Sequence, residues 1–223
     1  MLGNHGRKGL QRVMDPLARL AAALHLTPNI ITWGGTTLTV IFAWVFLARG
    51  YLFTGAIMLG FILLLDSLDG VLARLSGKVS DYGGFLDSTL DRVSDLAVFG
   101  ALVYWAGTGM NETTLRSVSL ICGLAAMVFT AAVPYARARA QTLGVDARLG
   151  IAERTDRLVI ALTGCGLSGV LGLPWLYPLA LALVTIASAV TLGQRVWFTA
   201  TNIGVEKSDR AANTTGEVTG GQY

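Results

Sequence analysis

The sequence predicts an all-α integral membrane protein, with six membrane-crossing helices preceded by an amphipathic helix lying at the interface. Three observations carry that expectation. Of 223 residues, 53% are hydrophobic and only 14% charged, against about 25% charged in ordinary soluble domains. The mean hydropathy is +0.58. The apolar residues gather into runs near the length, about 20 residues, that a helix needs to cross a hydrocarbon core about 30 Å thick. The 27 glycines suit helices that pack closely in a membrane. The same composition excludes a disordered chain, a collagen-like fibre and a secreted disulfide scaffold. Cys122 and Cys165 both fall in apolar runs and read as buried thiols. A net charge of +3 fits basic loops on a cytoplasmic face better than a nucleic-acid partner, because no aromatic residues interleave with the basic ones.

Taken in order, residues 10–26 form an amphipathic stretch with Arg12 and Arg19 on its polar side. Basic residues interrupt what a cleavable signal would keep apolar, so an interfacial helix is the expectation. Thr27-Pro28-Asn29 breaks the chain and opens the first span, since proline suits a first helical turn and polar side chains satisfy its free N–H groups. The six spans are expected near 29–48, 52–75, 83–106, 115–138, 157–173 and 176–199. Residues 1–204 make one membrane domain, and residues 205–223 carry too little apolar surface to order themselves. Arg7, Lys8, Arg12, Arg19, Arg74, Lys78, Arg137, Arg139, Arg148, Arg154, Lys207 and Arg210 collect on one side, and Arg49 and Arg116 on the other. That asymmetry puts both termini on the cytoplasmic side of the cell (plasma) membrane.

Carboxylates inside membrane helices are expensive and generally functional. The second span carries Asp66 and Asp69 directly after Leu63-Leu64-Leu65, and the third carries Asp87 and Asp91. Residues three or four apart share a helix face, so each pair points one way, and the short connection makes the two helices antiparallel neighbours. Asp66 lies eight positions before Arg74, about 12 Å below the cytoplasmic end of the helix. Four facing carboxylates cannot all stay ionised in a low dielectric without cations. One aspartate could serve a polar contact between helices, whereas four at these spacings point to divalent metal. Magnesium is commonly held by carboxylates and substrate phosphates, and two ions about 3.5–4 Å apart clamp a displacement at phosphorus. Gly70 leaves room for a bulky ligand and Ala73 keeps the wall thin. Arg74 can pair with a phosphate, and Gly83 opens a helix whose N–H groups favour anions.

Asp66-x-x-Asp69-Gly70-x-x-Ala73-Arg74, followed after eight residues by Gly83-x-x-x-Asp87-x-x-x-Asp91, resembles in full the signature of the CDP-alcohol phosphotransferases. The resemblance implies a homodimeric membrane enzyme that displaces CMP from a CDP-linked alcohol with a second alcohol, using two Mg²⁺ ions, with Mn²⁺ as a possible substitute. It implies that Asp66 and Asp87 bridge both ions, Asp69 completes one, and Asp91 contacts the other and acts as general base. Asp69, Gly70, Arg74 and Gly83 would then line the CDP-diacylglycerol. The whole chain is similar to the inositol-phosphate branch of that family, which adds Ile31, Thr32, Trp33, Gly34 and Ser80 to the nucleotide-lipid residues.

A second, basic constellation concerns the acceptor. Arg137 and Arg139 end the fourth span, Glu153-Arg154-Thr155-Asp156-Arg157 opens the fifth, and Arg195 is embedded in Leu192-Gly193-Gln194-Arg195-Val196-Trp197. Topology alone accounts for basic residues at a cytoplasmic face, but an embedded Arg195 needs a partner. Converging arginines suit a phosphate dianion, so a phosphorylated acceptor is expected. The resemblance assigns this pocket to Arg137, Arg154, Arg195 and Tyr135. The implied reaction joins CDP-diacylglycerol to 1D-myo-inositol 3-phosphate (inositol 1-phosphate in the alternative numbering). Glycerol 3-phosphate is the alternative acceptor, and a divalent-cation transporter the alternative from another class.

Other signals carry less. Gly164-Cys165-Gly166-Leu167-Ser168-Gly169 spells a dinucleotide fingerprint, but that motif requires a preceding strand and here it lies within an apolar helix. Asp95 falls on the face of Asp87 and Asp91, one turn deeper, and reads as a supporting or helix-pairing group. His5 and His25 are isolated.

Overall fold

The computed structural model describes residues 27–75 and 80–219, with side chains described throughout except at 28, 65–75 and 204–219. The expected interfacial helix at 10–26 therefore lies outside the described residues. Six α-helices follow one another: α1 (Pro28–Val45), α2 (Leu52–Leu75), α3 (Asp81–Gly109), α4 (Thr113–Thr142), α5 (Arg154–Leu171) and α6 (Leu176–Thr219). No strand occurs among the described residues. A short 3₁₀ turn, Leu47–Arg49, links α1 to α2.

Local chemistry explains the helix starts. The Thr27 side chain accepts the N–H of Ile30, with Pro28 in the first turn of α1, and Ser80 Oγ accepts the N–H of Gly83 at 3.0 Å to cap α3. Each satisfies a donor that the helix itself leaves free. At α5 the capping is reciprocal between Glu153 and Asp156. The backbone of α6 continues as helix to Thr219, through residues whose composition predicted no order; 220–223 lie outside the described residues.

The helices close into a ring in which each packs on two neighbours, in the order α1, α2, α5, α6, α4, α3 and back to α1. Phe99 and Leu102 of α3, Leu181 and Val184 of α6, Ala161 of α5 and Leu47 fill the centre. The outward side chains are also apolar: Ile41, Phe61, Ile121, Val128, Ile186 and Trp197 are all exposed. A soluble monomer rarely shows so much contiguous apolar surface, while a lipid environment accommodates it.

Three helices are long and apolar enough to cross a membrane: Asn29–Arg49, Thr113–Thr142 and Leu176–Ile203. Sequence hydropathy predicted six crossings, so the described residues support half of that number. Charge placement is the reason. In α3 the uncharged run begins only after Asp95 and in α5 only after Arg157, while for α2 the residues described with side chains end at Leu64.

Small residues set the helix spacing. A Cβ added at Gly164 would overlap that of Ala180 on α6, and one at Gly166 would lie 2.9 Å from Ala56 Cβ on α2. The glycine-rich hexapeptide of α5 is thus a packing surface, as its apolar setting suggested. Gly164→Ala is expected to force α5 from α6 at a cost of about 1–3 kcal/mol, read as a lower unfolding temperature of the detergent-solubilised protein.

Candidate active site

Helix α3 presents Asp87, Asp91 and Asp95 four residues apart, on one face. Exposure falls along the row: Asp87 and Asp91 are half-buried, and Asp95 is 1% exposed. A carboxylate buried that deeply needs a cation beside it, and α5 supplies one at its first residue. Arg154 Nε donates to Asp95 Oδ1 at 2.9 Å, and Arg154 Nη1 lies 2.7 Å from Asp91 Oδ1. One guanidinium thus bridges two carboxylates one turn apart on α3. Arg92 Nη2 reaches the other oxygen of Asp91 at 3.4 Å.

A cavity of about 490 Å³ opens beside this cluster, lined by Asp91, Arg92, Val133, Pro134, Arg137, Arg148, Leu149, Gly150, Ala152, Glu153, Arg154, Thr155, Arg157 and Arg195. Its walls are α3, the last part of α4, the middle of α6, the start of α5 and the segment 143–153. Arg195 holds that segment: its Nε donates to the carbonyl of Leu149 at 2.9 Å and its Nη1 to the carbonyl of Val133 at 2.7 Å. The partner expected for this embedded charge is therefore, in part, main-chain oxygen. Pro134 interrupts the hydrogen-bond ladder of α4 beside this contact. Gly150 has φ +143, and a Cβ there would run into Thr191 of α6, so only glycine lets the segment lie this close. Thr191 Oγ1 accepts the N–H of Ala152 at 3.2 Å, securing the approach to Arg154.

Of the expected acceptor residues, Arg137, Arg154 and Arg195 meet at the cavity. Tyr135 does not line it and is 71% exposed on α4. Arg92, Arg148 and Arg157 join the lining without having been assigned to it. Their signal was present in part, because Arg157 follows Arg154 by three positions and shares its helix face. The pairing of Asp95 with Arg154 had only the four-residue spacing from Asp91 to announce it.

The nucleotide-lipid residues divide between two helix starts. Ile31, Thr32, Trp33 and Gly34 lie in the first turns of α1, with Thr32 buried and Trp33 exposed, and Ser80 and Gly83 open α3. The two starts adjoin: a Cβ at Gly83 would sit 3.5 Å from Asn29 Oδ1. The side chains of Asp66, Asp69, Arg74 and the Gly70 position lie outside the described ones. Among the described residues no group of three or more His, Cys, Asp or Glu could hold a metal. Asp87 and Asp91 are two hard oxygen donors one turn apart at a half-buried position, which suits part of a divalent site that a facing pair would complete.

An all-helical bundle with carboxylates and a basic cavity at one end defines an enzyme built to handle phosphorylated substrates. The chain belongs to the CDP-alcohol phosphatidyltransferase family, whose family model matches residues 25–151. It is 40% identical over 200 residues to the phosphatidylinositol phosphate synthase of Cutibacterium acnes, covering 86% of this chain and 94% of that one. Its identity to the enzyme of the same name from Mycolicibacterium smegmatis is 38% over 209 residues, covering 93% and 92%. Among solved structures it is similar to Mycobacterium tuberculosis phosphatidylinositol phosphate synthase in complex with manganese and citrate (TM-score 0.78, 36% identity, 84% of this chain and 89% of that one). The same enzyme with CDP-DAG bound gives a TM-score of 0.77 at 36% identity, covering 84% and 94%. The chain is therefore a transferase, which sets the transporter reading aside.

Removing Asp95 takes a buried carboxylate from Arg154. Asp95→Ala is expected to cost about 3 kcal/mol, whereas Asp146→Ala, which breaks only the exposed pair with Arg148, is expected to cost less than about 1 kcal/mol. Unfolding of the two variants side by side in one detergent measures the difference.

Proposed function

We propose that this protein transfers the phosphatidyl group of CDP-diacylglycerol to 1D-myo-inositol 3-phosphate, giving phosphatidylinositol phosphate and CMP. The observation that carries this reading is the contact between Arg154 and Asp91. It sets a cavity lined by six arginines against the carboxylate with the position of a general base. A phosphorylated acceptor held by those arginines has its hydroxyls beside that carboxylate. The relatives named as phosphatidylinositol phosphate synthases favour inositol phosphate over glycerol 3-phosphate.

Asp66, Asp69, Asp87 and Asp91 would hold two divalent ions, Mg²⁺ or Mn²⁺, in keeping with the manganese in the M. tuberculosis structure. Helix register supports this grouping. Leu59 and Leu63 of α2 line the same small cavity as Val98 and Ser94 of α3. Continuing that antiparallel register by one and two turns brings positions 66 and 69 to the level of Asp91 and Asp87. When bound, such ions neutralise charge on the diphosphate and on the departing CMP.

The protein's own part is positional and acid–base. The starts of α1 and α3, with Ile31, Thr32, Trp33, Gly34, Ser80 and Gly83, receive the nucleotide end of the lipid together with Gly70 and Arg74. Arg137, Arg154 and Arg195 orient the acceptor's phosphate. The acceptor's hydroxyl oxygen forms a bond to the phosphatidyl phosphorus, its proton passes to Asp91, and the bond from phosphorus to the CMP oxygen breaks with its electrons leaving on CMP. The wider setting belongs to the same proposal: one domain over residues 1–204, six crossings of the plasma membrane, both termini and the site at the cytoplasmic face, and a homodimer. The exposed apolar flanks of the bundle and the family membership support it.

Purified protein with Mg²⁺, CDP-diacylglycerol and one acceptor at a time tests the reading through released CMP. Release with inositol phosphate and little with glycerol 3-phosphate or free inositol is expected; the reverse preference would replace the acceptor. Asp91→Asn is expected to retain CDP-diacylglycerol binding while its turnover falls by about 10²-fold or more. Near-normal turnover would remove Asp91 as the base.

A further inference from the structure

Asp95 has no task in the reaction described so far, and the fold alone does not account for it. It lies on α3, is 1% exposed, and does not line the cavity. Arg154 Nε donates to its Oδ1 at 2.9 Å, while its Oδ2 is buried with no hydrogen-bond partner among the described residues. A buried ion pair stabilises a fold no better than well-packed apolar side chains of similar volume, and a buried oxygen left unbonded detracts further. Nor does the pair lie in a seam between packed helices. In the ring α3 packs on α1 and α4, and α5 on α2 and α6, so the bridge from Asp95 to Arg154 joins two helices that are not ring neighbours.

The effect of Asp95 falls on Asp91. A guanidinium is planar and presents its donors in a fixed fork. That of Arg154 meets Asp95 through Nε and Asp91 through Nη1, the latter at 2.7 Å. Two attachments on different nitrogens set the plane of the fork. The fork in turn sets the Asp91 carboxylate, for which Arg92 at 3.4 Å is a looser contact. A proton-accepting oxygen must stand within about 2.6–3.2 Å of the hydroxyl it serves, so the rotation of that carboxylate matters to the step. Charge matters as well: one cation shared by two carboxylates holds each less tightly than a cation given to one. Without Asp95 the attraction of Arg154 would fall on Asp91.

We propose that Asp95 is a positioning residue: through Arg154 it fixes the rotation of the Asp91 carboxylate and keeps Arg154 from closing fully onto it. Asp95 itself touches no substrate. The proposal rests on the reading of Asp91 as the general base. It places behind that base a second carboxylate, one turn deeper on the same helix face.

The test uses the full-length protein in detergent as wild type, Asp95→Asn, Asp95→Glu, Arg154→Lys and the double variant Asp95→Asn/Arg154→Lys. Asp95→Asn keeps the side-chain volume and removes the charge. CMP release is followed while acceptor and CDP-diacylglycerol are varied separately. The kcat of Asp95→Asn is expected to fall by about 10- to 10²-fold, the scale of a displacement near 1 Å at a reacting group. The CDP-diacylglycerol KM should move less than about twofold, and Asp95→Glu, which restores the charge, should recover part of the loss. In the Arg154→Lys background the same change at 95 should lower kcat by less than about threefold, because a residue acting through Arg154 has little left to act on. The second readout needs no turnover. In a crystal structure of Asp95→Asn, Arg154 is expected to have left position 95 and the Asp91 carboxylate to have turned with it.

Wild-type kcat in a folded Asp95→Asn overturns the proposal, even if that variant melts lower, because Asp95 would then serve the fold alone. A change confined to the acceptor KM overturns it too, since Asp95 would be holding Arg154 only for the phosphate. Losses of kcat that multiply in the double variant, or an Asp91 carboxylate unmoved in the Asp95→Asn structure, overturn the route through Arg154. Should Asp95→Asn not fold, Asp95→Glu decides: a kcat lowered severalfold at an unchanged CDP-diacylglycerol KM upholds the assignment, and a wild-type kcat overturns it. If the wild type released no CMP with any acceptor, the proposed reaction would fail, and the structure of Asp95→Asn would still decide whether Asp95 sets Asp91 through Arg154.

Discussion

Everything at the active end of this bundle is arranged around one guanidinium lodged between two carboxylates of a neighbouring helix. Arg154 begins α5, and Asp91 and Asp95 lie one turn apart in the middle of α3, some 59 positions away along the chain. A carboxylate as buried as Asp95 is tolerable only with its charge neutralised; Arg154 bonds its Oδ1, while its Oδ2 is buried with no hydrogen-bond partner among the described residues. That requirement pins the start of α5 against α3. Once α5 is held there, the segment before it must descend along α6. Gly150 permits the close approach, and Thr191 and Arg195 secure it through the main chain. The cavity is the space these constraints leave.

The rest of the molecule serves to keep that end rigid within an apolar exterior. Helices meet where glycine faces alanine, as at Gly164 and Gly166, so the backbones approach closely with few polar contacts between them. Two hydroxyls bond across a helix interface: Tyr177 donates to the carbonyl of Leu102 at 2.6 Å, and Thr185 to that of Cys122 at 2.8 Å, while those of Ser119, Thr130 and Ser188 are buried with no partner among the described residues. The charged side chains that line the cavity come from the first half of α3, the last part of α4, the segment 143–153, the start of α5 and the middle of α6. This division suits chemistry between a lipid, which approaches from the apolar side, and a water-soluble phosphate, which enters from the polar end.

Much of this was legible in the linear sequence. The all-helical class followed from composition and the length of the apolar runs. The shared face of Asp87, Asp91 and Asp95 followed from a four-residue repeat. The cap at Thr27 follows from a side chain whose partner lies three residues on, whereas the cap at Ser80 emerged only with the structure. The six expected crossings were legible only in part, because a hydropathy run does not reveal how far the charges of α3 and α5 shorten it. Among the pocket residues, Arg137, Arg154 and Arg195 converge as their placement at span ends suggested. Tyr135, adjacent in sequence to Pro134 and two residues from Arg137, points to the outside instead, since neighbouring positions on a helix face different ways.

What the sequence determined by itself is therefore the set of relations confined to one helix: its length, its cap, and which carboxylates share its face. Those depend on a rise and a turn per residue that hold in any surroundings. Tertiary structure alone decided which helices adjoin, and with that which cation answers which carboxylate. The ring order α1, α2, α5, α6, α4, α3 brings Arg154 to Asp91 and Asp95, turns Arg195 to main-chain carbonyls and buries Arg157 facing the cavity. Such pairings join residues dozens of positions apart, and they arise from packing the whole apolar surface at once, which no local pattern of side chains encodes.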